Sequence, residues 1–543
     1  MKPVHKLYVA LVSLLLWGCL IDAGYGALVP VEQGEIVSPN NGAMEKIGLL
    51  QAVRVTLEAS PIILAAQQRM EAAAGSLTSA HGQFNTISQA SGGVAHNKSS
   101  IMYGNTYAAT ARGLQVTEFD NMFYKLGLSQ LFRSGIQVTP TVSTARFTTQ
   151  DFNNTAPNTS ATINLNIVIP LLRGLGVKAT AAQEIAAEHG FDKTRYELWQ
   201  TVADELQKTV SAYWAYVAVA QQLEIWRAAE ERNRKLLEDG FRLADADQIP
   251  RSDLNNYQAS LAGAEADRAQ AEQGLVSARQ TLGMVMGVPA DHLAAIPLPS
   301  DSFPVPHTDA VAYATSNLNR MTAYAFGHRS DLLAAEQHMQ YYQALLGGAE
   351  SELKPKVNLS LDIGYTGLSN SVVAMNLLTA YGQNIQGYTG GATLSYEFPF
   401  ANEKAKGQFR QTASSMTEAQ ILQGNLARSI ASSVQVATSG LQQSMNSLRF
   451  ASTAVDSRLQ AFQSEKKKQL AGMSTVINVM MVEQNLTQAQ LAKTQAAMNL
   501  ANAVVRYRFA TASLFAPGDE SRDINLERLT TVPLHPDSDM RMP

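Results

Sequence analysis

A single cysteine, Cys19, among 543 residues excludes an internal disulfide and any paired-cysteine metal or redox site. The net charge of -4 comes from both signs mixed along the whole chain, with no basic stripe to neutralise a phosphate backbone, so no nucleic acid is expected as a partner. The nine histidines are scattered, none in HExxH spacing, and neither a GxSxG nor a Walker sequence is present. No catalytic residue, cofactor or metal ligand is therefore expected, and the chain does not read as an enzyme. Beyond the N-terminus no stretch approaches 18 uncharged apolar residues, so no membrane-spanning helix is expected. What the chain does have, 45% hydrophobic and 16% charged residues, is ordinary folded composition, which excludes disorder and collagen-like fibres. Its length suits two to four domains or one long assembly protein.

Lys2 and Lys6 precede a short apolar run from Leu7 to Ile21, the pattern of a secretory signal over residues 1–26. Two cleavage readings stand side by side. One cuts after Gly26, with small residues Gly24 and Gly26 at the recognition positions. The other cuts before Cys19 in Leu16-Trp17-Gly18-Cys19, similar to a bacterial lipobox apart from bulky Trp17, and makes Cys19 a lipidation candidate.

The remainder is duplicated. Leu64-Ala65-Ala66-Gln67-Gln68-Arg69-Met70 and Leu333-Ala334-Ala335-Glu336-Gln337-His338-Met339 agree at five of seven positions. Two further marks recur in the same order: a strand ending in proline (Ile163 to Pro170; Thr393 to Pro399) and a turn (Asp247 to Leu254; Gly472 to Val479). Between heptapeptide and strand the first half carries about 40 more residues than the second. This divides the chain into an extension (27–46), a first repeat (47–298), a second repeat (299–515) and a tail (516–543). Pro517, Pro533, Pro536 and Pro543 argue against a continued helix in that tail.

Each half reads as helix, strands, very long helix, turn, helix. Leu198, Val202, Leu206, Val210, Tyr213 and Val217 recur at spacings of three and four, in a proline-free stretch from about Ala179 to Glu238. A second such stretch runs from about Asn402 to Lys468. Globular helices average ~11 to 12 residues, so helices this long demand a special architecture. After Pro250, Ala259, Ala262, Ala266 and Ala269 form one seam, and Leu261, Ala264, Ala271, Leu275, Ala278 and Leu282 form another. Two seams call for two neighbours, as in a sheet or closed tube of helices. Leu486, Ala489, Ala496, Leu500 and Ala503 repeat one seam in the second half.

Four segments alternate with period two: Gly135 to Val142, Ile163 to Pro170, Val357 to Tyr365, and Ala392 to Phe398. Their alternation suits a membrane β-barrel and equally a half-buried soluble sheet. Four strands cannot close a barrel, whose minimum is ~8, so a barrel would have to be shared between subunits. Thr148 to Thr162 and Gly367 to Gly391 read as connecting loops. Gly174 and Gly176 superficially fit a dinucleotide fingerprint, but the following helix runs on far past the ~30 residues of a nucleotide-binding unit. They read instead, with Pro170 and Pro399, as strand-to-helix turns. Met473, Met480 and Met481 read as packing, and Lys466 to Lys468 as a solvated, dipole-favoured helix end.

Ile169-Pro170-Leu171-Leu172-Arg173-Gly174, Gln248-Ile249-Pro250-Arg251-Ser252-Asp253-Leu254 and Tyr396-Glu397-Phe398-Pro399-Phe400-Ala401-Asn402, within the duplicated plan, resemble the TolC-like outer membrane efflux protein family from about Ile47 to Phe515. The resemblance implies an α+β membrane protein. In it three subunits share a 12-stranded outer-membrane barrel, four strands each, continued into a periplasmic helical barrel. It implies a homotrimer in outer-membrane lipid of a Gram-negative-type bacterium. Its implied partners are a periplasmic adaptor (membrane fusion) protein and an inner-membrane efflux pump or ABC exporter. The implied function is the exit duct of a tripartite efflux or type I secretion system; a non-conducting periplasm-spanning scaffold is the alternative. By the same resemblance Asp253, Gly472, Asn478 and Met481 lie at the periplasmic aperture, with Asp253 positioned for hydrogen bonds that hold the tip shut. Asn478 and Met481 stand where relatives often carry acidic rings, which points to an uncharged constriction. Asp247 replaces the glycine seen at the equivalent Gly472, so a different turn shape is expected there.

Overall fold

The computed structural model describes residues 46–101, 115–151, 154–305, 308–369, 386–515 and 524–533. The signal segment with Cys19, nearly all of the extension and most of the tail lie outside these residues.

Helix α1 (Leu49–Ala59) and α2 (Pro61–His81) lead into strands β2 (Ile87–Ile101), β3 (Gln115–Leu131), β4 (Gln137–Asp151) and β5 (Asn154–Pro170). Then come the long α3 (Ala182–Asp245) and its partner α4 (Leu254–Met286). After α5 (Thr308–Ser316) and α6 (Leu318–His328), the second repeat runs through α7 (Ser330–Glu352), β7 (Lys356–Ser369), β8 (Gln386–Glu397), α8 (Glu403–Leu470) and α9 (Val476–Ala510). A short α10 (Leu526–Thr530) follows. Two-residue strands β1 (Lys46–Ile47) and β6 (Leu298–Pro299) pair in parallel and join the two ends of the first repeat. At 64 and 68 residues, α3 and α8 are ~96 and ~102 Å long.

Helix α3 is the central column, packed by α1, α2, α4, α7 and α9. Its predicted stripe is the core: Leu206, Val210 and Tyr213 are fully buried, and Trp214 beside them is 1% exposed. Leu49 and Val53 of α1, Leu282 and Met286 of α4, and Val505 of α9 complete this cluster. Asp301, just after β6, accepts the Leu49 N–H at 2.6 Å and the Tyr213 hydroxyl at 2.9 Å. Burial, then Asp301, raises the Tyr213 pKa and keeps the hydroxyl protonated. The described part of the tail folds back: the guanidinium of Arg508, 1% exposed, donates from Nη2 to Thr531 Oγ1 at 3.0 Å and from Nη1 to Ser513 O at 3.2 Å.

Among the described residues, six long strands form one antiparallel sheet in the order β2-β3-β4-β5-β7-β8. This corrects the expectation of four. Strands β2 and β3 escaped the alternation test because Ala90, Gly92 and Val94 give β2 little apolar contrast, and β3 carries Phe123 on the face opposite Tyr124 and Leu126. Thr148 to Thr162, expected as a loop, is the end of β4 and the start of β5, with Asp151 paired to Asn154. Of the expected loop Gly367 to Gly391, residues 367–369 and 386–391 are strand, and residues 370–385 lie outside the described residues. The surplus of about 40 residues in the first half is thus one additional hairpin. A subunit with six strands also removes the arithmetic behind three subunits sharing twelve.

Candidate functional site

Three regions bear on function: the strand wall, its junction with the helices, and the far tip. On the wall, register places apolar residues of all strands on one face. Leu126 pairs with Val142, Val142 with Ile163, Ile163 with Tyr365, and Tyr365 with Tyr388. One row along, Leu165 meets Ile363 and Leu359 meets Leu394. Side chains on this face stand open: Ile363 is 61% exposed, Leu394 65% and Tyr388 81%. The other face is polar across β5 and β7, with Asn166 Nδ2 donating to Asp362 Oδ1 at 2.7 Å and the Thr162 and Thr366 hydroxyls 3.1 Å apart, while Phe123 and the stacked pair Phe119 and Phe147 lie on it in β3 and β4. From Val357 to Tyr365 the apolar row rises ~21 Å at a tilt of ~40°, close to the ~25 Å band of membrane barrels. Aromatic side chains bound it: Tyr365 against Tyr388, ring centroids 5.4 Å apart, at one end, and Tyr396, Phe398 and the fully exposed Phe400 at the other. Aromatic girdles are what membrane–water interfaces select.

At the junction, Gly174 and Gly176 both have left-handed φ, 81° and 87°. Thr180 Oγ1 donates to Gly174 O at 2.8 Å and the Gly176 N–H to Ser134 O at 3.0 Å. Gly135, which sequence reasoning missed, has φ 91°, and a Cβ there would come within 2.1 Å of Gly174 O, so only glycine lets the two turns interlock. Pro170 ends β5 against Asn358, and Pro399 lies in the turn before α8, whose N-cap, Asn402, is itself left-handed at φ 45°. A buried carboxylate anchors the additional hairpin: Glu184, 3% exposed at the start of α3, accepts from Arg133 Nε at 2.7 Å and lies 2.5 Å from His81 Nδ1. The Arg133 hydrogen bond holds the Glu184 carboxyl below the usual carboxylate range, against the opposing effect of burial.

At the tip the two turns come together on a small core of Leu236, Tyr257, Val476 and Val479. Both long helices end in the same way. The Asp247 N–H donates to Ala244 O and the Gln248 N–H to Leu243 O, as Gly472 does to Gln469 O and Met473 to Lys468 O. Asp247 (φ 52°) and Gly472 (φ 74°) share the left-handed cap position. The expected difference in turn shape is therefore corrected: Asp247 adopts the glycine conformation at a cost of ~1–2 kcal/mol.

Asp253 is half-buried and its N–H donates to Pro250 O at 3.0 Å. Among the described residues, the bonds that cross between the two hairpins come from other residues. Gln469 Nε2 donates to Tyr257 OH at 2.5 Å, Lys466 Nζ lies 3.2 Å from Asp239 Oδ2, and Arg232 Nε donates to Glu483 Oε1 at 3.0 Å. Burial raises the Tyr257 pKa, and hydrogen bonding from Ser474, then Lys468, lowers that of Glu465. The lysine run is therefore mostly paired rather than merely solvated. Sequence reasoning missed these bonds because their partners lie more than 200 residues apart; the amide and hydroxyl on otherwise apolar stripes were the legible hint. Asn478 is exposed one turn into α9, its N–H capped by Thr475 Oγ1 at 3.4 Å. Met481, one turn on, is 54% exposed.

The same architecture, a two-faced strand sheet joined to paired ~100 Å helices, is found among known outer-membrane channels. Residues 324–513 match the family described as outer membrane efflux protein. The fold is similar to that of the outer-membrane channel OprN, with TM-score 0.61 at 17% identity over 86% of this chain and 90% of that one. It is similar to the Campylobacter jejuni CmeC outer membrane channel at TM-score 0.61, 14% identity and 87% of each chain. The Vibrio cholerae outer membrane protein VceC gives 0.59 and 14%, over 85% of this chain and 95% of that one. No curated protein matches. The resemblance to TolC-like outer membrane efflux proteins therefore holds, by family for the second repeat and by fold for the described chain.

Proposed function

We propose that the protein is the exit duct of a tripartite efflux or type I secretion system. Three copies share a barrel in the outer membrane and pass substrate, without catalysing a reaction, from an inner-membrane pump and periplasmic adaptor to the exterior. The observation that carries this reading is the pairing of faces: the wall is apolar outside and, across β5 and β7, polar inside, and it continues directly into helices with unfinished surfaces. On α4, the seam of Leu261, Ala264, Leu275 and Leu282 packs within the chain, whereas Ala259, Ala262, Ala266 and Ala269 stand exposed. An alanine seam without a neighbour in its own chain suits a second subunit. Asn478 and Met481 line the closed aperture as an uncharged amide and thioether, and the hairpin-to-hairpin bonds of Tyr257, Gln469 and Lys466 hold it shut. Opening is a splaying of these hairpins, driven by the partner pump.

Purified from outer membranes into a planar bilayer, trimeric protein is expected to give small discrete conductance steps that grow when Asn478 and Met481 are replaced by alanine. A folded trimer that stays silent even with a loosened tip would support the non-conducting scaffold instead.

A further inference from the structure

Among the described residues the sheet has two free edges, β2 and β8. Soluble proteins blunt such edges with proline, charge or a covering segment. Strand β8 has neither proline nor charge before Glu397, and β2 has only Lys98 and His96. Both edges run beside the apolar face, where each unpaired backbone group in lipid costs several kcal/mol. Six strands in antiparallel succession leave β2 and β8 pointing in opposite directions, so β8 of one copy and β2 of the next meet antiparallel, as every other pair in the sheet does.

Register decides whether that meeting works. One straight row of pairs crosses the whole sheet: Gln89, Gly127, Thr141, Asn164, Gly364 and Thr389. Closing a barrel requires this row to return displaced along the strands, and the displacement sets the tilt. A shift of six residues per copy, toward the β8 end, places Gln89 of the partner subunit opposite Ser395 and gives a tilt of ~35°. A shift of eight places it opposite Glu397 and gives ~42°, both within the ~35–45° of membrane barrels. Both even shifts match polar face to polar face, and both engage all 12 residues of β8. A shift of the opposite sign sends Gln89 to residue 383, beyond the start of β8.

We propose that three copies close an 18-stranded barrel through a β8-to-β2 seam in one of these two registers, six strands per subunit. The copy number rests on the trimeric duct reading; the seam does not. With strands ~4.8 Å apart, the barrel backbone is ~36 Å across, against ~24 Å for twelve strands. The wall is therefore about half as wide again as a twelve-stranded one, and bulky cargo meets its narrowest point at the tip.

The test is disulfide trapping in protein assembled in outer membranes. Ser91→Cys with Thr393→Cys reports the six-residue register, and Ser91→Cys with Ser395→Cys the eight-residue one. Ser91→Cys with Leu394→Cys, which face opposite sides, is the control, and each single variant accounts for Cys19. One polar-face pair is expected to give covalent dimers and trimers on a denaturing gel, and the control none. End-on electron-microscopy averages are expected to show a ring ~36 Å across. Trimers by native mass without cross-links in either register overturn the seam. Cross-linked dimers with no cross-linked trimers, together with a dimeric native mass or a ~24 Å ring, overturn the 18-strand count while leaving the seam standing. Absence of conductance bears on the duct reading alone.

Discussion

Helices α3 and α8 occupy equivalent places in the duplicated plan and differ by only four residues in length, yet one is a core and the other a surface. Five helices (α1, α2, α4, α7 and α9) pack against α3, and Trp214, Tyr216 and Val217 at its middle are at most 2% exposed. Helix α8 has α7 and α9 as its main neighbours and leaves Ile421, Val436 and Phe450 each more than 60% exposed. Duplication thus supplied two similar rods in different settings: α3 is buried within the chain, and α8 leaves an apolar face uncovered, the face on which the proposed trimer would meet. Four predictions bear on this contrast.

The largest effect is expected inside α3. Trp214→Ala should cost about 3–5 kcal/mol in denaturant unfolding, the usual penalty for emptying a packed aromatic site. Val436→Asp on α8 should leave single-subunit unfolding within ~0.5 kcal/mol, as surface substitutions do, while native mass shifts from trimer toward monomer. Equal destabilisation by both would erase the distinction.

Next comes the junction that only the first repeat has. The folded-state pKa of Glu184 is depressed, so its contribution is present above the unfolded carboxylate value near 4.5 and disappears as pH falls through the folded value. Glu184→Gln should therefore lower stability at neutral pH and flatten the acid limb of a pH–stability curve. A parallel downward shift of the whole curve would assign the loss to packing.

At the tip, Tyr257→Phe leaves the buried Gln469 amide without its hydroxyl partner and should cost ~1–3 kcal/mol locally. Its readout is a higher open probability in single-channel records, with trimer mass unchanged. Smallest of all, Asp247→Gly should stabilise the first turn by about 1 kcal/mol and Gly472→Ala weaken the second by a similar amount. Thermal unfolding of the two variants should move in opposite directions.

The helices were legible because their signal is redundant: Leu206, Val210, Tyr213 and Val217 repeat over many turns, and the observed bounds fall within a few residues of the expected ones, apart from a further two turns at the end of α3. The strands with clean alternation, Ile163 to Ile169 and Val357 to Tyr365, were equally plain. Strand β2 was not, since Ser88, Ala90, Gly92, Val94, His96 and Lys98 share its outward face and give little apolar contrast with the positions between them. The length difference between the halves was the available clue, and it matches a hairpin because only an even number of added strands returns the chain to the helical side. The contact between Tyr257 and Gln469 was not legible, because a pair 212 positions apart has no local signature.

Helix length has one more consequence. From the left-handed N-cap at Asn402 to the left-handed cap at Gly472, α8 is uninterrupted, so its 68 residues act as a ruler of ~102 Å. Whatever meets the tip must stand at that distance from the strand sheet. Adding seven residues to one long helix would misalign every side-chain layer below the insertion, whereas adding seven to each of α3, α4, α8 and α9 would lower the whole tip by ~10 Å and keep the layers in register.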